Sequence, residues 1–415
     1  MRAVLVGILA LAAACQAEER GAIFETAAAE PQAPQTRPDG PPVEQGEPNK
    51  RDAVPAFEGQ TRAPAVDSGV SFNVEIVAED LDEPWAIALL PDESLLVSER
   101  TGRLLHIGQD GAVTSIAGLP EIYTRGQGGL LDLSLAPDFA DTRELYFTFS
   151  EPRGGEANGT SLARAKLAAD NSSLEDVEVV FQQVPAWESP LHFGSNIEWN
   201  SDGTLFVTLG ERSMPEPREL SQDLDGLLGK VVRLNRDGSP AEGNPFLDQA
   251  GARPEIWSYG HRNVQGAAIH PQTGDLWTIE HGPRGGDELN VAEAGKNYGW
   301  PVVSYGIEYR GGPIGEGITA QEGMEQPRYY WDPVIAPGDM TFYQGELFPW
   351  TGDLLVSGLA GYLVRLELDG RRVIGEERVV ADLGRIRDVQ EAGDGSLWLI
   401  TDQGDGVLAK VTPAG

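Results

Sequence analysis

Residues 196–211 read NIEWNSDGTLFVTLGE: a short apolar strand, a turn from Asn200 to Gly203, and a second apolar strand ending on a carboxylate. Two such strands around an Asn/Asp/Gly turn are the signature of a β-hairpin. The second half of the unit returns five more times. It appears as ESLLVSE at Glu93, RELYFTF at Arg143, GDLWTIE at Gly274, GDLLVSG at Gly352 and DGSLWLITD at Asp394. Aligned on the leucine after the turn, the six copies fall at Leu95, Leu145, Leu205, Leu276, Leu354 and Leu397. That spacing suits one four-stranded propeller blade per copy, with loops lengthening some of them. The chain therefore reads as all-β, a six-bladed β-propeller of four-stranded antiparallel blades over residues 69–415. An open ring would leave unpaired edges, so SFNVEIVAE from Ser71 is expected to pair beside VLAKVTP from Val407 and close the last blade.

Residues 1–15 hold Arg2, an apolar run from Ala3 to Ala14, and Cys15, the single cysteine of the 415 residues. The run is too short to span a bilayer and reads as a signal-peptide core. Small residues before Cys15 suggest a lipoprotein signal, with an ordinary cleaved signal as the alternative. Either reading places the protein outside the cytoplasm, periplasmic or lipid-anchored to a bacterial envelope, touching membrane only through that anchor. Residues 16–68 are rich in Pro, Glu, Ala and Gln and are expected to be a disordered tether, because they bury too little apolar surface to offset ordering. A formal charge of −34 excludes nucleic acid as a partner, since phosphates would be repelled.

Chemistry-bearing residues cluster outside the strands. In SPLHFGSN, His192 begins the hairpin that Glu211 ends, so the two side chains are placed to meet; a carboxylate would then fix the imidazole as a general base. In SYGHRNVQG, Arg262 and Asn263 offer a planar cation and an amide to carboxylate or quinone oxygens, or alternatively hold a turn. In IEHGPRGGDELN, Gly282, Pro283, Gly285 and Gly286 make an irregular backbone beside Asp287 and Glu288. Hard oxygen donors in such a loop suit calcium, although the acidic pair also reads as surface charge.

These runs, with GKNYGWP, HFGSN, DGTLFVTLGE and GRIRDVQEAGDGSLWLITD, resemble the soluble PQQ-dependent aldose sugar dehydrogenases of the glucose/sorbosone dehydrogenase family. The resemblance covers roughly residues 70–413, in order, and implies a six-bladed propeller that oxidises the C1 hydroxyl of aldoses to lactones with pyrroloquinoline quinone (PQQ) and calcium. It implies that His192 is the catalytic base, oriented by Glu211, and that Arg262 stabilises developing oxyanion charge. By the same resemblance Gln127, Arg262, Asn263, Arg385 and Arg387 hold the cofactor. Calcium falls to main-chain oxygens of Gly282 and Pro283 and, at a further site, to Glu288 and Tyr298. The implied partners are mono- or disaccharide aldoses and a separate electron acceptor. Three departures stand out. Glu211 replaces the Asp of glucose-dehydrogenase members, the lysine some members carry near Ala360 is absent, and Asp339 stands where a small residue is expected beside the cofactor. A calcium-dependent lactonase or a non-catalytic sugar-binding propeller are the competing readings. A lactonase has no need of the Arg385 and Arg387 pair, and a non-catalytic propeller would be expected to have lost His192 or Arg262.

Overall fold

The computed structural model describes residues 38–415. Twenty-four strands form six four-stranded antiparallel sheets. Each repeat leucine begins or nearly begins the second strand of its blade, and all six are buried. They are buried because a second strand is covered by the adjacent blade on each side. The sixth blade closes as expected, with Phe72–Leu81 pairing antiparallel to Gly406–Pro413 in the register Phe72↔Pro413 to Leu81↔Gly406. First and last segments of the propeller thus share one sheet, and the ring has no free seam.

The apolar core is divided among the six blade interfaces. Leu130, Leu145 and Phe147 of the second blade pack on Ala86, Leu96 and Leu104 of the first, and equivalent clusters fill the other five gaps. Strands alternate faces with a period of two, so each blade feeds both neighbouring interfaces from one short apolar run.

Innermost strands run Pro84–Leu89, Leu130–Leu135, Gly194–Trp199, Val264–Ile269, Pro337–Phe342 and Ile386–Glu391. All six pass the same way along the channel. Residues at their starts line one cavity of about 450 Å3, whereas residues at their ends line a second of about 380 Å3.

The tether expectation needs correction where the chain is described. Residues 38–68 are laid along the fourth and fifth blades as a strap. Ala63 is fully buried in the cluster between those blades, and Gln60 is fully buried as well. The Ala63 amide donates to the Tyr329 hydroxyl at 2.7 Å, and Thr61 Oγ1 donates to the Tyr330 carbonyl at 2.8 Å. The composition argument counts apolar burial, whereas this segment is held mainly by polar and main-chain hydrogen bonds to a surface the blades have already built. Residues 1–37, with the signal segment and Cys15, lie outside the described residues.

Candidate active site

The first cavity receives a loop or strand start from every blade. Trp85, Gln127, His192, Asn263, Ala336 and Arg385 come from the entries to blades one to six in turn. Inner-strand starts converge on the propeller axis, so residues far apart in sequence meet there.

His192 sits at φ 50°, in the left-handed region, just ahead of its strand. A side-chain carbon at Gly210 would lie 2.1 Å from the His192 carbonyl oxygen, so only glycine lets the two strand ends come this close. That approach brings His192 Nδ1 to 3.2 Å from Glu211 Oε1. The distance is that of an ion pair, but the orientation leaves neither atom in a hydrogen bond. Burial, and then the Arg262 charge, hold the imidazole below its ordinary pKa despite Glu211. It is therefore neutral at pH 7. Burial would raise Glu211, yet His192, Arg262 and the Ser213 amide together bring it below the usual carboxylate value. A neutral imidazole beside an ionised carboxylate is a proton acceptor ready for use.

Around this pair the other walls are amide and guanidinium. Gln127 Oε1 accepts the His192 amide at 2.8 Å, and Asn263 Oδ1 accepts the Gly194 amide at 3.0 Å. Each carboxamide oxygen thus positions the histidine strand, leaving the NH2 groups for a ligand. Arg262 is held by its own amide to Glu280 Oε2 at 2.6 Å and by Nη1 to the His281 carbonyl at 2.8 Å. Arg387 is buried, stacks 4.2 Å over Trp85, and bonds Asp402 and, at 3.1 Å, Gln265 Oε1. Arg385 reaches the same Asp402 at 3.4 Å but its side chain is half-exposed. With Arg100 and its ion-pair partner Glu83 also on the wall, four arginines face two carboxylates, Glu83 and Asp402, which leaves the cleft a net acceptor for an acidic ligand. Arg262 Nε and Arg387 Nε are buried without partners. The cavity and these unpartnered guanidinium nitrogens fit a planar tricarboxylate such as PQQ.

The four expected metal residues do not border this cavity. Gly282, Pro283, Glu288 and Tyr298 line one small neighbouring cavity of about 10 Å3, with Glu280 and Arg262 on its wall. That is about the space of one water-sized sphere, so one cavity stands where the sequence reading expected two sites. The carbonyl oxygens of Gly282 and Pro283 accept none of the hydrogen bonds found among the described residues. Tyr298 has spent its hydroxyl on the Val291 carbonyl and the Glu293 amide, which leaves only its main-chain oxygen as a donor to metal. Glu288, partly exposed as a residue but with its carboxyl group enclosed, is pushed well above the usual value by burial and then by Glu280. Among the described residues no three His, Cys, Asp or Glu side chains form a metal cage. A calcium ion here would rest largely on carbonyl oxygens, which suits a hard cation.

Asp339 is the second correction. It lines the other cavity, bonded at 3.1 Å to Asn196 Nδ2, because the strand from Pro337 has by then carried it down the channel. Among the cleft positions that the sequence reading missed are Glu83, Trp85, Arg100, Gln265 and Asp402. Gln265 had a readable signal, standing two residues after Asn263 at the start of the same inner strand. Asp402 closes the last repeat copy, DGSLWLITD, where Glu211 and Glu280 close theirs.

The family model described as Glucose / Sorbosone dehydrogenase matches residues 81–410. The aldose sugar dehydrogenase YliI of Escherichia coli is 42% identical over 351 residues, covering 83% of this chain and 93% of that protein. The crystal structure of the soluble aldose sugar dehydrogenase of E. coli in its apo form superposes with a TM-score of 0.80 at 40% identity, over 83% of this chain and all of that one. The PQQ-bound aldose sugar dehydrogenase of Streptomyces coelicolor gives a TM-score of 0.68 at 29% identity, over 83% of this chain and 98% of that one.

Proposed function

The chain belongs to the glucose/sorbosone dehydrogenase family, and from that membership we propose that it oxidises the C1 hydroxyl of aldose sugars to lactones with PQQ and calcium. One observation carries the reading. A buried, neutral His192 paired with Glu211 faces a cleft whose other walls present Arg262, Arg385 and Arg387.

His192 takes the proton of the C1 hydroxyl as the C1 hydride departs, so the sugar loses two protons and two electrons and closes as a lactone. Glu211 stabilises the imidazolium that forms and keeps the ring facing the cleft. Bound PQQ supplies an electrophilic quinone carbon that accepts the hydride. Arg385 and Arg387 hold its carboxylates, with Gln127 and Asn263 turning their NH2 groups to its oxygens. Arg262 lies between the cleft and the small cavity and balances negative charge on the quinone oxygens. The carbonyls of Gly282 and Pro283, with Glu288 and the main-chain oxygen of Tyr298, would hold calcium in the small cavity, and the ion would fix the loop that carries Arg262's partner His281. Tyr309, 66% exposed at the cleft mouth, offers a ring face to a sugar. The Arg218–Glu308 ion pair at 2.6 Å ties the short helix Pro215–Glu219 to the loop that carries Tyr309.

The N-terminal apolar run and Cys15 support export and lipid anchoring, which metabolic labelling with palmitate would test against a Cys15→Ser chain. Electrons leave to a separate acceptor. The deciding assay is dye-linked glucose oxidation by the purified chain as apoprotein, with calcium alone, with PQQ alone, and with both. Activity only with both supports the reading, and equal activity without PQQ sinks it.

A further inference from the structure

The family model starts at residue 81, so the strap of residues 38–68 lies outside it. Four of its hydrogen bonds go to a single residue, Asp332. Asp332, 4% exposed, accepts the Asn49 amide at 2.9 Å and Asn49 Nδ2 at 2.6 Å on Oδ1, and the Lys50 amide at 2.8 Å on Oδ2. Among the described residues, every hydrogen bond to this buried carboxylate therefore comes from the strap. Arg62 adds a bond to the Asp332 carbonyl at 2.9 Å, and Lys50 Nζ reaches the Gly317 carbonyl at 2.8 Å.

On its other side Asp332 backs directly onto the glycine-rich loop. A side-chain carbon at Gly285, whose φ is 86°, would lie 2.6 Å from Asp332 Oδ1. The Gly286 amide donates to the Trp331 carbonyl at 2.8 Å. Asn49 also grips the loop itself, since its Oδ1 accepts Arg284 Nε at 2.9 Å. One asparagine carboxamide thus links strap, Asp332 and loop. The loop has no regular structure of its own between Glu280 and Asp287, and glycine-rich backbone is costly to order.

We propose that the strap is an intramolecular clamp on the 282–286 loop, with Asn49 as the positioning residue that sets its carbonyl oxygens for the cation. The proposal rests on the calcium reading above for its consequence, but the clamp itself is a statement about loop order. Removing the Asn49 carboxamide takes a donor from a buried carboxylate and the acceptor from Arg284, while the main-chain bonds of the strap remain. A group that orients metal donors from one shell out changes metal affinity by about 10- to 100-fold, and Asn49→Ala is expected at the lower end.

The test uses the full chain in wild-type, Asn49→Ala, Arg284→Ala and doubly substituted forms, with Val54→Ser on the exposed strap surface as control. Hydrogen exchange over residues 281–287 is measured on apoprotein, and calcium affinity by titration calorimetry. The clamp predicts faster exchange confined to that loop in both single variants, a calcium Kd raised about 10-fold, and a double variant little worse than either single one. Unchanged loop exchange in Asn49→Ala overturns it. Faster exchange with an unchanged calcium Kd overturns the positioning role. A wild-type chain that binds no calcium, with Glu288→Gln equally inert and the loop still loosened by Asn49→Ala, would refute the calcium reading and leave the clamp standing.

Discussion

The two ends of the central channel are built from the same six strands and carry opposite electrostatics. At the strand starts, Arg262, Arg385 and Arg387 gather around His192 and His281. At the strand ends, Asp132, Glu198 and Asp339 line a cavity that contains no Lys, Arg or His, and Asp388 stands behind it. Burial acts on both, and the neighbours decide the outcome. In the cleft, burial and then the arginines keep both histidines neutral, His281 by burial, Arg387 and Arg262 in that order. In the far cavity, burial and then Asp388 push Asp132 up to about 7, and burial, Asp388 and Asp132 push Asp339 well up. Burial, offset by the Ile269 amide and helped slightly by Asp132, brings Glu198 to about 7. A chain of −34 formal charge has thus reserved one mouth of its channel for an acidic ligand and stored protons at the other.

The comparison breaks most visibly at His192. His192→Ala should lower kcat by about 10^3-fold in dye-linked assays with saturating PQQ and calcium, within the usual range for a lost general base. A loss under tenfold would remove the base from the cleft. Arg387→Ala should come next, raising the PQQ concentration for half-maximal reconstitution by roughly 10- to 100-fold, the worth of a charged hydrogen bond. Its kcat at saturation should fall less. Glu211→Gln should cost about tenfold in kcat/KM. Without that carboxylate the imidazole pKa drops further below its ordinary value, so the acid limb of the pH profile should move to lower pH. A limb moving upward would contradict the pairing.

The far end should give the smallest effect on activity. Asp132→Asn is expected to change kcat by less than about twofold, since the residue is remote from the cleft. Its signature lies in stability. An acid whose folded pKa is raised stabilises fully below its unfolded value and loses that contribution as pH rises through the folded one. Wild-type stability should therefore decline between about pH 4 and 7 partly through Asp132, and thermal unfolding of Asp132→Asn across that window should show a flatter dependence. An unchanged slope would mean Asp132 is ionised throughout.

How much of this was legible depended on distance along the chain. His192 and Glu211 flank one hairpin, and the register Gly194↔Leu209 brings them together whatever the rest of the ring does. Gln127, Arg262 and Arg387 enter from different blades, and the residues alone gave no distance between them. The family resemblance supplied that grouping, and the inward convergence of strand starts explains it. Asp339 was misplaced because, three residues beyond the cleft residue Ala336, it lies about 10 Å further along the channel. The strap was misjudged because hydrogen bonding to a distant aspartate, Asp332, leaves no mark in composition.

The sequence by itself determined the six blades and the His192–Glu211 pair, because period-two burial and hairpin pairing are local properties, and it implied the closure of the ring, because an open ring would leave unpaired edges. Only the tertiary structure decided which strand ends meet at the arginine cleft, which carboxylates share the opposite cavity, and where residues 38–68 dock. Those outcomes depend on how six sheets pack around a common axis, and such packing sets distances between residues that no local pattern encodes.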